Sequence, residues 1–344
     1  MTTTTSIATH YEQFLELLTR DPRAGAHGRA TAPARYSERI DPSGGPQPIV
    51  LTRDEWILNQ IDLALALGRL LTEDDVVVSA VPYELSFIGA EVDRVTEMVG
   101  ASVISVGTSG TICPMPRLLG LIEQYEVTAL VCSPSFAAQL ASLALSLGRR
   151  PEKSTVRTIV CVGEACSTER LDRIGAAWAA KTSALYGTPS TPTVAVACDH
   201  GALHLCEHRL RAEVRGDLRG ELLLDGSPTG ELVELWPAGR RCDCGSAGRV
   251  LVPLGSAASA VRGPDGLVST LDVERVVFGH RRLAPHFVCA LRDGTFHVTC
   301  AVAGPQAVDE GALRRAIRSG IGEALGVEAE VAVVGVQDWS TATS

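Results

Sequence analysis

From residue 49 onward, short apolar runs alternate with longer stretches that carry a helical period. Residues 51–71 read as a helix, and DDVVVSAV as a buried strand. Residues 89–99 are helical, ASVISVG a strand, 116–125 helical and VTALVCS a strand. The pattern repeats with a helix over 136–147, strand VRTIVCVG, a helix over 168–180 and the short strand SALYG. Val-rich strands separated by helices of about ten to fifteen residues predict a parallel α/β sheet covered on both faces. After residue 190 the pattern changes to β-hairpins, with RAEV, GELLLDG, GELVELWP and GRVLVPLG as strands. The small residues of GSAASAVRGPDG mark a hinge, and a β–α–β tail follows. In it APHFVCAL and DGTFHVTCAVAG are strands, 309–325 a helix and VEAEVAVVGV the last strand. The expected architecture is α/β. A large N-terminal domain, residues 1–255, has mostly parallel sheets and β-hairpins, and residues 256–344 form a small α+β C-terminal domain. Before residue 49, Tyr11, Phe14, Leu15, Leu17 and Leu18 predict a short helix within 1–20, and 21–48 read as irregular. The final WSTATS reads as loose, and no internal repeat is visible.

Charge and composition narrow the partners. The 344 residues carry a net charge of −9 with a pI near 5.4, which argues against general affinity for nucleic acid or anionic membrane. MTTTTSIATHYEQF lacks a basic region followed by an apolar run, so no secretory signal is expected. No apolar stretch reaches the roughly 20 residues that a membrane span needs. Ten cysteines without a signal point to a reducing cytoplasm, where metal or free thiol is expected rather than disulfide.

Two groups of soft donors stand about forty residues apart, far in sequence but within reach of one another in a folded domain. Cys198 and His204 lie in ACDHGALHLCEH, and Cys242 and Cys244 lie in RRCDCGSAGR. A C-x-C thiolate pair with a distant Cys and His suits tetrahedral zinc in a structural role. The first group reads as a hairpin with Asp199-His200-Gly201 at its turn. Alternation along its returning strand sets His204 and Cys206 on one face and Leu203 and Leu205 on the other. Cys206, His200 and His208 stand as alternatives to the first pair. Buried apolar cysteines and solvated histidines are the competing reading, but Arg241, Asp243 and Gly245 make burial of Cys242 and Cys244 without a partner less natural. Cys161 and Cys166 flank another loop, where core packing accounts for Cys161 and no base pairs with Cys166. His280 and His286 read as solvated or packed.

Four stretches together resemble the phenylacetate–CoA ligase branch of the adenylate-forming (acyl-CoA ligase and adenylation-domain) superfamily, over about residues 43–337. ALYGTPSTPTVAVAC is similar to that family's Y-G-x-T-E segment. VCVGEACSTERL resembles its adenine loop, and SPTGELVELWPAGRRCDCG its T-G-D segment with a following Pro-Cys-x-Cys-Gly. VVSAVPYELSFIGAE with VISVGTSG resembles the strand and loop of its acyl pocket. The resemblance implies ATP-dependent activation of a small, aromatic carboxylic acid as an acyl-adenylate. Transfer to CoA, a carrier-protein thiol or an amine would follow. It places Gly163, Glu164 and Ala165 at adenine, Tyr186 and Gly187 at adenine and the α-phosphate, and Glu231 at the ribose. Tyr83, Phe87, Gly89 and Gly107 fall in the acid pocket.

Departures from that pattern bear on ATP and Mg²⁺. The Ser/Thr/Gly-rich phosphate loop is reduced to Ser43, Gly44, Gly45 and Pro46, without threonine or lysine. The glutamate that would hold Mg²⁺ falls at Ser190, which brings no charge to a hard cation. The arginine and acidic hinge pair fall near Ser256, Ala257, Ala258 and Ser259, and the chain stops where the catalytic lysine is expected. Two readings follow. One is a shortened adenylating enzyme, aided by a partner that supplies missing groups. The other is a non-adenylating, zinc-braced descendant that acts as a binding subunit or runs an ATP-independent reaction in the old pocket.

Overall fold

The computed structural model describes residues 33–40, 45–237, 239–246, 248–264, 266–302, 309–339 and 342. The expected helix within 1–20 lies outside the described residues, as do Ser43 and Gly44 and most of the terminal WSTATS. Two compact units are formed, one from residues up to Val131 with Gly187–Val194, the other from Cys132–Tyr186 with Ala195–Ser344. The fold is α/β with a large, mostly parallel sheet and antiparallel hairpins, as the alternation predicts.

In the first unit, β1 (Pro33–Ile40) pairs antiparallel with β2 (Pro46–Thr52). This hairpin lies where irregular chain was expected over 21–48. Its strands begin at proline and leave Tyr36 and Val50 exposed, and the inward pair Ile49 and Leu51 is too short an alternation to read as a strand. Then come α1 (Arg53–Leu67), β3 (Val76–Ala80), α2 (Ile88–Val99), β4 (Ser102–Ser105), α3 (Met115–Gln124) and β5 (Ala129–Cys132). Thr52 and Glu55 form a capping box that starts α1, each satisfying the other's backbone N–H. Strand β3 runs parallel to β4 and has β5 on its other side. Val77 and Val78 are fully buried, as a strand covered on both faces requires.

In the second unit, α4 (Pro134–Ser146), β6 (Thr158–Cys161), α5 (Thr168–Trp178) and β7 (Lys181–Thr188) continue the alternation, β6 parallel to β7. The hairpins follow: β8 (Thr191–Ala197), β9 (Leu203–Leu205), β10 (Ala212–Gly216), β11 (Arg219–Leu224), β12 (Ser227–Leu235) and β13 (Val250–Ser256). Their order is β10-β11-β12-β13-β9-β8, antiparallel throughout, so sequence neighbours pair except where β9 inserts between β8 and β13. The small-residue stretch near 257 is a single 3₁₀ turn leading into the hairpin β14 (Ala260–Gly263) and β15 (Gly266–Ser269).

Next comes α6 (Thr270–Phe278), which the sequence reading had not separated from the tail. Its β-branched residues lower helix propensity, but a Ser269–Asp272 capping box and the burial of Val273, Val277 and Phe278 override that. The tail closes with β16 (Leu283–Arg292), β17 (Thr295–Val302), α7 (Glu310–Leu325) and β18 (Ala329–Gly335). Here β17 pairs antiparallel with β16 and parallel with β18, over a core of Phe296, Val298, Cys300, Ile317 and Ile321. Among the described residues no helix is long and apolar enough to cross a membrane.

Candidate functional site

The metal-type donors converge. Cys198 opens the turn out of β8, which Gly201 closes at φ +76° by donating its N–H to the Cys198 carbonyl. His204 sits mid-β9 opposite Val250 of β13, and the β12–β13 loop brings Cys242 and Cys244 over it. Gly248 permits this return, because a Cβ there would come within 2.6 Å of the Leu205 carbonyl oxygen. The four donor atoms lie within 4.8 Å of one another, with Cys198 Sγ to Cys242 Sγ at 3.9 Å and Cys244 Sγ to His204 Nε2 at 3.2 Å. A tetrahedral ion with metal–sulfur bonds of about 2.3 Å sets its ligands roughly 3.5–3.8 Å apart, so the donor set fits one. His204 Nδ1 lies 2.8 Å from the Gly248 carbonyl, which fixes the ring and leaves Nε2 to face the sulfurs. The backbone N–H of Ser246 lowers the Cys244 thiol, while burial raises that of Cys198. Among the described residues this is the one such cluster; Cys206, His200 and His208 are not in it.

Of the residues that the resemblance sets at the nucleotide, Gly163, Glu164 and Ala165 follow β6, Tyr186 lies on β7 and Glu231 lies mid-β12. Gly163 turns the chain out of β6 at φ +77°, with open space where a Cβ would stand. Glu164 and Ala165 follow, half-buried, and Ser167 caps α5. The Glu164 carboxylate is engaged inward. It accepts from the Ser135 hydroxyl at 2.8 Å, the Ser135 N–H at 3.2 Å and the Arg170 guanidinium at 2.7 Å. The loop's backbone thus remains the part that a planar base can meet. Tyr186 on β7 is buried, and its hydroxyl has no hydrogen-bond partner among the described residues. Burial and then the nearby charge of Glu231 raise that hydroxyl's pKa, and burial likewise raises the Glu231 carboxyl. A buried donor without an acceptor costs about 1–3 kcal/mol, which a bound polar group would relieve. Gly187 leaves no room for a side chain, since a Cβ would reach 2.0 Å from the Pro192 carbonyl. Ser190 is exposed and its hydroxyl lies 3.3 Å from that of Thr188.

A separate cleft of about 460 Å³ in the first unit is lined by Tyr83, Glu84, Ser105, Gly107 and Thr108, among others. The Tyr83 hydroxyl donates to Asp93 at 2.6 Å, Ser105 donates to the same carboxylate at 2.6 Å, and Ser79 lies 2.9 Å from the Tyr83 oxygen. Burial and the Asp93 hydrogen bond push the phenol up to about 12. Gly89 is where the Tyr83 ring crosses α2, since a Cβ there would meet ring atoms at 2.7 Å. Gly107 faces the other ring edge at 3.5 Å. Phe87 is placed in the core, packed edge-on against Trp56 at 6.4 Å and beside Leu51.

Sequence reasoning missed a buried ion cluster beside the β6–α5 loop. Arg170, 1% exposed, bonds Glu164, Glu274 of α6 at 3.3 Å, the Ser135 hydroxyl at 2.9 Å and the Pro285 carbonyl at 3.0 Å. Glu274 also accepts the Ser167 N–H at 2.7 Å. Burial alone would favour neutral arginine, but Glu274 and Glu164 outweigh it and hold the guanidinium charged. The signal was present, because Arg170 shares one helical face with Ile174 and Trp178 at a spacing of four. A second polar contact joins Ser142 of α4 to His286 of β16 at 2.6 Å, beneath Trp339.

With this geometry in place, the chain can be assigned: it belongs to the AMP-binding enzyme family, which matches residues 44–233, more than half of it. No curated protein matches it. Among solved structures, it is similar to a 2-hydroxyisobutyryl-CoA ligase in the post-adenylation state with its acyl-AMP, at 15% identity and TM-score 0.74 over 91% of this chain and 74% of that one. Against the same ligase in its thioesterification state the TM-score is 0.58, at 16% identity over 92% and 75%. A benzoate CoA ligase from Burkholderia xenovorans gives 0.64, at 15% identity over 90% and 66%. At these identities the likeness establishes the fold, and the family implies ATP use.

Proposed function

We propose that this protein activates a small, aromatic carboxylic acid with ATP as an acyl-adenylate and passes the acyl group to a thiol or amine, as a divergent member of the phenylacetate–CoA ligase-like branch. The observation that carries this reading is the buried, unpartnered Tyr186 hydroxyl facing the field of Glu231 beside the Gly163 turn. In it, the backbone of Gly163, Glu164 and Ala165 holds adenine, Tyr186 and Gly187 line the adenine and α-phosphate, and Glu231 takes the ribose hydroxyls. The Tyr83 cleft receives the acid, with Gly107 leaving its wall open to a ring. ATP supplies the adenylyl group when bound; the chain's own residues orient base, sugar and acid. Residues 1–255 serve as the nucleotide- and acid-binding domain and 256–344 as the small C-terminal domain. Zinc on Cys198, His204, Cys242 and Cys244 has a structural role, because all four ligand positions are filled by protein and none is left for a substrate.

The triphosphate is served less well. Ser190 offers a hydroxyl where the resemblance requires a carboxylate for Mg²⁺. Each missing electrostatic group of this kind costs about 3–4 kcal/mol at the transition state, a factor of 10²–10³. Unaided adenylation is therefore slow, and a protein partner that brings the missing charges would restore it. Ser190 also favours a second reading, in which the zinc-braced fold is a binding subunit without adenylation. Acid-dependent ATP–pyrophosphate exchange, together with calorimetric titration of a non-hydrolysable acyl-adenylate mimic, separates the two. Binding of the mimic with acid-dependent exchange supports adenylation, and absence of both leaves the second.

A further inference from the structure

A cavity of about 510 Å³ lies against the metal loop, within the usual range for small-ligand sites. Its wall includes Trp236, Arg240, Arg241, His200, Thr168 and Arg275. We propose that it is a second binding site, for a phosphate-bearing ligand, with Arg240 and Arg241 as the anion's partners. The proposal does not depend on the adenylate reading.

The Arg240 guanidinium carbon stands over the Trp236 indole, 3.6 Å from the ring centroid, and the backbone N–H of Arg240 donates to the Pro237 carbonyl at 3.1 Å. Stacking on the ring holds the guanidinium plane while leaving its in-plane N–H edge open, the geometry that grips a tetrahedral oxyanion with two bonds. Among the described residues neither Arg240 nor Arg241 meets a carboxylate. Arg275 is tied to Asp272 at 3.2 Å and to the Pro253 carbonyl at 3.0 Å, so it contributes charge rather than free donors. Asp243 is the one acidic residue on the wall. With the charge of Arg275 offset by Asp272, Arg240 and Arg241 against Asp243 still leave this wall positive in a chain whose net charge is −9, a local field that attracts anions.

The start of α5 also opens here, but Glu274 already takes the Ser167 N–H, so the helix terminus is not the anion's seat. Two adjacent forks suit the doubled charge of a phosphate better than a single carboxylate. The cavity exceeds a bare phosphate, and the Trp236 and Leu251 side offers apolar wall for an organic remainder. Arg241 directly precedes Cys242, so an ion bound by the cysteines would fix this loop and hold the arginines ready.

The test uses the full metal-loaded chain and inorganic phosphate, with chloride at equal ionic strength as the blank. Phosphate is expected to change tryptophan emission saturably, with a Kd on the order of 1 mM. Trp236→Phe should remove most of that optical change while calorimetry still records binding. Arg240→Ala/Arg241→Ala should weaken binding at least tenfold with an unchanged far-ultraviolet spectrum, since both side chains are exposed. Removing the metal should weaken it in the same direction. No saturable signal or heat up to about 50 mM phosphate would overturn the proposal. So would wild-type affinity in the double arginine variant.

Discussion

Arg170 holds two glutamates in a place that water barely reaches, so its partners are not independently removable. Glu274→Ala would leave the buried guanidinium to the half-buried Glu164 and take the acceptor from the Ser167 N–H, and urea unfolding should show a loss of about 3 kcal/mol. Arg170→Met combined with Glu274→Met should recover more than half of that loss, because replacing both charges removes the desolvation penalty along with the attraction. Equal instability in the single and double variants would contradict this account. Ser190 offers the opposite experiment. Ser190→Glu supplies the absent carboxylate, and Mg²⁺-dependent pyrophosphate exchange should rise by about 10²-fold. At this scale the four soft donors were legible because their spacing and polar surroundings resist a core reading. Asp93 was not, because its bonds to Tyr83 and Ser105 are made across ten and twelve residues, where no periodic signal links them.

The elements were read best where burial imposed a period. Strands β3, β5 and β6 are fully or nearly buried apolar runs, and each falls inside its expected segment. The β1–β2 hairpin and α6 escaped because neither is specified by its own hydrophobic pattern. The hairpin depends on pairing between two largely exposed strands with Leu51 as a buried anchor, and α6 on a cap and on partners far along the chain. The metal loop belongs at this scale as well. Residues 239–246 contain no regular secondary structure, and Cys242 and Cys244 are the anchors that join them to β9. Chelation should therefore release about one zinc ion per chain and lower the melting temperature by roughly 5–10 °C, and Cys242→Ser should reproduce the loss without chelator. A melting temperature indifferent to chelator would contradict a structural ion.

For the whole molecule, the family assignment and the observed site differ in how much they settle. Family membership and the α/β fold follow from the match over residues 44–233 and from the sheet. Of the residues that the resemblance sets at the nucleoside, Gly163 makes a left-handed turn, Tyr186 is buried and Glu231 brings a carboxylate, while Ser190 stands where the same resemblance asks for charge. The resemblance in sequence proposes residues for both the nucleoside and the triphosphate halves along the chain. It could not show that Tyr186 lacks an acceptor or that Glu164 turns inward to Arg170, since these are facts of packing. The central claim is that an acid is adenylated in this pocket. Pyrophosphate exchange across a panel of small aromatic acids tests it most directly, comparing wild type with Glu231→Ala. Exchange that requires one of the acids and falls at least tenfold in the variant is the predicted result. No exchange with any acid, and no binding of an acyl-adenylate mimic, would contradict it.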